Sequence, residues 1–415
     1  MIERNEYLNV LKRFKDKELI KVITGIRRCG KSKIMDALTE LIKESDPSGN
    51  VVHVNYNITE FENLLEYHAL EDYIESQYIT GENNYVLIDE IQMCEHSEKA
   101  INSLHSKEKY DIYVTGSNAF LQSSDLATLF VGRTYEIHIM PFSFEEYLAY
   151  FPSEKVNDSL TKYITEGGMA GSYLYKNSNQ KYRYINDEVL NALVVRDIIK
   201  KYSIRNEHLL HVLLDFMMDN IGNLISIRSI SDSLASNKTK ADHKTVGKYI
   251  DYLCKAYLFY RVRRYDIKGK NYINSPYKFY FEDIGLRNAR LNFRQVEENH
   301  LMENIIFNEL KVRGYSVDVG LVNVYGTDKK GKTILKRYEV DFVATQGSKK
   351  YYIQSAFSIN DDKKLKQETN SLNNISDSFK KIVVVKDNIK PRRDENGITT
   401  IGLLNFLLDE NSLEL

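Results

Sequence analysis

The sequence predicts an α/β protein made of a parallel sheet, a helical region and a second, mixed α/β part. Three observations predict it. At 415 residues the chain is too long for one ordinary core, so two or three domains are expected. Residues 1–150 alternate short apolar runs with helical patterns, the order a parallel sheet needs because its crossovers are helices. A glycine-bounded turn, Gly25 to Ser32, joins the first apolar run to the first helical pattern.

The apolar runs place strands at Leu19–Thr24, Val51–Tyr56, Tyr85–Asp89, Asp111–Thr115 and Tyr135–Met140. Helical spacing appears between them at Lys31–Glu44 and Leu64–Tyr78. The segment Pro141–Tyr150 opens with a proline suited to a helix start and closes a first domain, 1–150. From about Ser159 to Asp219 apolar residues recur every three or four positions, a helical signature. A turn at Ile221-Gly222-Asn223 leads to helices at Ile227–Ala235 and Thr245–Ala256. A β-like stretch follows, Tyr257–Phe281, turning at Lys268-Gly269-Lys270. Helices followed by a hairpin are the order of a winged helix-turn-helix, which gives a helical and winged-helix region over 151–290. After a helix at Leu301–Arg313, the remainder of 291–415 reads as β-rich and then mixed α/β, with a strand at Lys381–Val385 and a helix at Gly402–Leu408.

Composition narrows the function classes. Hydrophobic residues at 42% beside 28% charged ones describe a folded chain rather than a disordered one. A net charge of −1 gives no chain-wide attraction to an anionic partner, so any such surface must be local. Cys29, Cys94 and Cys254 are odd in number and far apart, against a disulfide framework or a zinc site. The first residues, MIERNEYLNVLKRF, lack the apolar core of a signal peptide, and no uncharged apolar run reaches the roughly 18 residues of a membrane span. A cytoplasmic protein without a membrane partner is expected.

The turn itself reads GIRRCGKS, matching G-x-x-x-x-G-K-[ST] between a strand and a helix. Glycines there let backbone N–H groups point inward and cradle phosphate oxygens. Gly25, Ile26, Arg27, Arg28, Cys29, Gly30, Lys31 and Ser32 are therefore the expected cradle for ATP. Lys31 supplies a compact charge for the β- and γ-phosphates, and the Ser32 hydroxyl a ligand for Mg²⁺. Arg27 and Arg28 either touch phosphate or sit in solvent. In YVLIDEIQ, Tyr85 to Gln92, an apolar strand ends in Asp89, a candidate for the Mg²⁺ shell, and Glu90, a candidate to polarise the attacking water. Taken alone, two acids at a strand end are commonplace; the loop upstream gives them meaning. The next strand ends in VTGSN, where Asn118, with Ser117 as the alternative, is the candidate polar contact to the γ-phosphate or the water. An ordinary turn asparagine is the other reading. Arg133, just before the fifth strand, is a candidate arginine finger toward a neighbouring subunit's γ-phosphate, or else a surface residue.

These segments together resemble a prokaryotic AAA-type P-loop ATPase family. The resemblance is carried by ITGIRRCGKS, VLIDEIQ, VTGSNAFL and GRTYEIHIMPFSFEEYL, and more loosely by EGGMAG, Thr245 to Lys270, EVDFVA and YYIQSA. It implies an N-terminal ATPase domain, a winged-helix region and a C-terminal domain resembling restriction endonucleases. It also implies ATP at a subunit interface, hence a homo-oligomer.

Two further features bear on partners. From Asn237 to Lys278 there are eleven Lys/Arg against three Asp/Glu, so the segment 238–278 is a candidate contact for DNA phosphates; a protein-contact module is the alternative. Arg261, Arg263, Arg264, Lys268 and Lys270 would lie on the wing. In the C-terminal part, Glu303, Asp341 and Gln354 have the spacing of a restriction-endonuclease metal site, but Ala356 stands where that fold type carries its lysine. A degenerate, non-cleaving domain is expected. The function expected is Mg²⁺-dependent ATP hydrolysis that switches the other domains. A nucleotide-gated DNA- or protein-binding module with little turnover is the alternative, and an ATP-controlled nuclease is disfavoured by Ala356.

Overall fold

A computed structural model describes residues 2–116, 132–237, 239, 241–293, 297–327, 333–357 and 369–415. The chain divides into two compact units. The first comprises Met1–Pro141, Ala170–Ile204 and Lys255–Tyr257; the second comprises Phe142–Met169, Arg205–Cys254 and Leu258–Leu415.

In the first unit, strands β1 (Ile20–Thr24), β2 (Asn50–Asn55), β3 (Asn84–Asp89), β4 (Tyr110–Thr115) and β5 (Thr134–His138) form one sheet in the order β2-β3-β4-β1-β5. Every pairing is parallel. The expected strands thus form where the apolar runs place them. All six residues of β3 are buried, as suits an inner parallel strand covered on both faces. One face carries a core of Ile20, Val52, Val54, Val86, Ile88, Ile112 and Val114, closed by Leu70, Ile74, Ile101 and Leu104 from helices Tyr67–Ser76 and Ser97–Ser106. Helix Lys31–Ser45 turns Ile34, Met35, Leu38 and Ile42 inward, at the i, i+1, i+4, i+8 positions that share one stripe. Burying each contributes about 1.5–3 kcal/mol relative to exposure, ample to hold the start of this helix at the edge of the sheet. The N-terminal helix, Asn5–Phe14, packs on it.

In the second unit, β6 (Phe259–Asp266) and β7 (Asn271–Phe281) form an antiparallel hairpin. Helices Glu207–Asp219, Ile227–Ser236 and His243–Lys255 precede it, in the order expected from sequence. The hairpin does not end in solvent: Arg264, Tyr265 and Asp266 pair in parallel with Val319, Gly320 and Leu321 of β8 (Ser316–Thr327). It becomes one edge of an eight-stranded sheet with β9 (Thr333–Gln346), β10 (Lys349–Ala356), β11 (Lys380–Val385), β12 (Arg392–Arg393) and β13 (Ile398–Gly402), ordered β12-β13-β11-β10-β9-β8-β6-β7. Helix Glu298–Val312 packs on β7, β8, β9 and β10.

The continuous helical region expected over 159–219 is interrupted. Helix Val156–Glu166 stops at Gly167, whose φ of 73° favours glycine. A Cβ at Gly168 would lie 2.2 Å from the Phe142 carbonyl oxygen. The buried Asp283 carboxylate accepts the Gly168 N–H at 2.6 Å and caps the next helix through the Leu286 N–H at 3.0 Å. Backbone closeness and a buried acid, neither visible as periodicity, end the helix.

Candidate nucleotide site

The loop between β1 and helix Lys31–Ser45 has the conformation its glycines permit. Gly25 has φ 143°, and a Cβ there would sit 2.3 Å from the Ile139 carbonyl oxygen and 2.6 Å from Cys29 Sγ. Gly30, with φ 108°, is the left-handed residue that launches the helix. The variable loop positions split by burial. Ile26 and Cys29 are buried and anchor the loop, while Arg27 is half-buried and Arg28 exposed. Lys31 is buried beneath the turn, its Nζ donating to the carbonyls of Gly25 at 3.0 Å and Ile26 at 3.2 Å. Arg28 lies 3.4 Å from Glu188 and 5.2 Å from the Tyr184 ring centroid, both on the π-helical turn Tyr184–Leu190.

Asp89 ends β3 and is fully buried. Its Oδ1 accepts the Thr115 hydroxyl from the end of β4, while its Oδ2 is buried with no hydrogen-bond partner among the described residues. A buried carboxylate oxygen without a donor costs free energy unless something cationic or protic meets it. That fits Asp89 to the water shell of a divalent cation, with the Ser32 hydroxyl as the other protein group available for it. Glu90 follows in a left-handed conformation, φ 59°, its N–H donating to Thr115 Oγ1 at 3.1 Å and its carboxylate accepting from the Gln92 side chain. This backbone twist separates the two acids, leaving Asp89 inside and Glu90 facing the cavity. Arg27, Arg28, Gly30, Lys31, Ser32, Tyr56, Asn57 and Glu90 line one cavity of about 480 Å³. The loop and the acid pair, 58 positions apart from Ser32 to Glu90, are therefore brought together.

Arg133 is not brought to this cavity. It precedes the first residue of β5, which pairs with the first residue of β1, while the loop leaves the other end of β1. Five strand residues separate them, roughly 16 Å at the rise of an extended chain. Its guanidinium donates to Asn102 at 2.9 Å. Ser117 and Asn118 lie outside the described residues.

Three residues at the site are not among the candidates that the sequence offers. Thr115 bridges the two acids, and its only signal is a hydroxyl at the end of an apolar strand. His53 on β2 has a buried Nε2 without a partner among the described residues; burial lowers its pKa, with Asp89 and Asp36 opposing. Arg4 is buried just before the first helix and donates to the loop carbonyl of Cys29 at 3.1 Å and to Met140 O at 2.8 Å, its guanidinium 4.6 Å from the Tyr7 ring centroid. Arg4→Ala leaves both carbonyls without this donor. It is expected to lower stability by about 2–4 kcal/mol and to loosen the loop; urea denaturation checks it, and an unchanged midpoint would remove Arg4 from the account.

Comparison with known proteins agrees with this geometry. Residues 17–148 match a family described as AAA domain, and residues 157–297 match a domain of unknown function. A Haemophilus influenzae protein described as uncharacterized is 33% identical over 414 residues, covering 98% of this chain and 99% of its own. A Methanocaldococcus jannaschii protein, also described as uncharacterized, is 28% identical, covering 83% of this chain and 76% of its own. Among solved structures, Aeropyrum pernix ORC1 in complex with DNA is 11% identical with a TM-score of 0.28, covering 70% of this chain and 93% of its own.

Proposed function

The chain belongs to the same family as the Haemophilus influenzae protein and carries an AAA domain, and from that premise we propose that it binds ATP with Mg²⁺ at Gly25–Ser32 and hydrolyses it. The observation that carries the reading is one cavity lined by both the loop and Glu90, with Asp89 Oδ2 buried beside it and without a hydrogen-bond partner among the described residues. The loop's N–H groups and the start of helix Lys31–Ser45 hold the phosphates, and Lys31 exchanges its carbonyl partners for β- and γ-phosphate oxygens. A bound Mg²⁺ supplies charge neutralisation across the phosphates. Asp89 and Ser32 would hold its shell, Thr115 fixes Asp89, and Glu90 orients and polarises the attacking water. Gln92 and the Thr115–backbone bond keep the Glu90 carboxylate toward the cavity. Titration with a fluorescent ATP analogue tests the binding half: Mg²⁺-dependent binding displaced by ATP is expected, and no saturable binding would end the proposal.

Arg133 acts, in this reading, on the site of a second copy of the chain, since its own loop lies at the far end of β1. Arg133→Ala should leave ATP affinity near normal and lower turnover steeply, as loss of an arginine finger does. Mixing it with Lys31→Ala chains should recover part of the activity at mixed interfaces. No recovery despite demonstrated co-assembly would assign Arg133 a purely structural role.

We read the helices of 207–255 and the hairpin as a winged-helix-like region whose position responds to nucleotide, and the C-terminal sheet as a non-cleaving domain. The basic segment is smaller than its sequence suggests. Lys278 is buried, and Arg261 pairs with Asp251 at 2.6 Å. If the remaining charges bind duplex DNA, log affinity should fall with log salt by roughly 0.9 per phosphate contact. Arg263, Arg264 and Lys268 replaced together by Ala should then flatten that slope. Titrations at two salt concentrations check it; no duplex binding at low salt, with or without ATP, makes the region a protein contact.

A further inference from the structure

Away from the nucleotide loop, the second unit buries a lysine against three carboxylates. Lys278 on β7 is 3% exposed. Its Nζ lies 2.7 Å from Glu303 Oε1 on helix Glu298–Val312, and 2.8 Å from Glu339 Oε1 and 3.3 Å from Asp341 Oδ1 on β9. An ammonium has three donors and no acceptor, and three carboxylates match it one to one. Burial opposes the charge, but the Tyr280 phenol and the acids Glu303, Asp341 and Glu339 outweigh it and hold Lys278 well above the ordinary lysine range.

The surrounding groups are committed as well. Asp341 Oδ2 accepts the Ser355 N–H at 2.9 Å, and Glu303 Oε1 also accepts the Tyr280 hydroxyl at 2.6 Å. Gln354 Oε1 accepts the Asp341 N–H at 3.4 Å and the Ser371 hydroxyl at 3.5 Å. Ala356, at the position where a restriction-endonuclease fold carries lysine, is packed into an apolar cluster with Val343, Tyr352 and Val383.

The resemblance to restriction endonucleases would seat a divalent cation among Glu303, Asp341 and Gln354. The residues present do not fit that ion. The carboxylate oxygens that would ligate it are turned onto Lys278 Nζ, and no three His, Cys, Asp or Glu among the described residues are arranged to hold a metal.

We propose that Lys278 is a built-in cation: its ammonium takes the place of the divalent ion between Glu303, Glu339 and Asp341 and makes the cluster a metal-independent tie between β7, β9 and helix Glu298–Val312. The tie works by charge pairing in a poorly hydrated place, where unpaired carboxylates are far costlier than paired ones. It is independent of whether the loop hydrolyses ATP.

The test uses the full chain without nucleotide and reads both Mn²⁺ binding and melting temperature. Wild type and Asp341→Asn, which removes a carboxylate that any divalent ion in the cluster would need, should bind the same number of Mn²⁺ ions. Lys278→Ala should melt lower by on the order of 10 °C, and millimolar Mn²⁺ should restore several degrees by entering the vacated place. That rescue should vanish in Lys278→Ala combined with Asp341→Asn. A wild-type Mn²⁺ site lost in Asp341→Asn would overturn the proposal, and this comparison decides even if Lys278→Ala does not fold. A folded Lys278→Ala with no Mn²⁺-dependent rise would overturn it equally.

Discussion

Lys31→Ala is expected to weaken ATP binding by on the order of 10²–10³-fold, the equivalent of about 3–4 kcal/mol. Lys31 is the one ammonium the loop holds beneath its turn, and its two hydrogen bonds, to the Gly25 and Ile26 carbonyls, show it already positioned on the loop's inner side. In the proposed complex those donors would turn to the β- and γ-oxygens as charge-assisted bonds, each worth more than a neutral one. The variant should remain folded, because Ile34, Met35, Leu38 and Ile42 still bury the helix. Equilibrium titration with a fluorescent ATP analogue, beside a melting curve, checks both halves. Affinity within a few-fold of wild type would place phosphate recognition elsewhere.

Glu90→Gln separates binding from chemistry. Glu90 lines the cavity with Lys31 and Ser32 but makes no bond to the loop, so its loss should leave ATP affinity within a few-fold. Turnover should fall by about 10²–10⁴-fold, the range of a positioned general base. Gln is nearly isosteric and keeps a contact with Gln92, which isolates the loss of charge from any loss of packing. A chain that binds ATP at parental affinity and releases phosphate at the parental rate would remove Glu90 from the catalytic role and favour a different acid.

The reach of the sequence ended where contacts stopped being local. The five strands of the first sheet could be read because each is a short apolar run bounded by turn residues, and β3 is buried along its whole length. The loop could be read because its glycines are required by φ values of 143° and 108° at fixed spacing. Arg4 could not, because its partners, Cys29 and Met140, lie 25 and 136 positions away. Thr115 was hidden behind the more conspicuous Ser117 and Asn118, although strand order puts β4 beside β3 and so brings its terminal hydroxyl to Asp89. Lys278 was counted with the basic surface because a run of lysines and arginines says nothing of which side chain points inward. The partners it turns to, Glu303, Glu339 and Asp341, lie 25, 61 and 63 positions away. The helical pattern over 159–219 hid the break at Gly167 and Gly168, since the acid that fixes it, Asp283, comes from more than a hundred residues later.

The most direct test of the central claim is steady-state phosphate release by the purified chain with ATP, with and without Mg²⁺, across a range of protein concentration. The account predicts Mg²⁺-dependent release that is abolished in Glu90→Gln and rises per chain with concentration as copies assemble and Arg133 reaches a neighbouring site. Saturable ATP binding with no phosphate released above the Glu90→Gln background, at any concentration, would contradict it and leave a nucleotide-gated binding module.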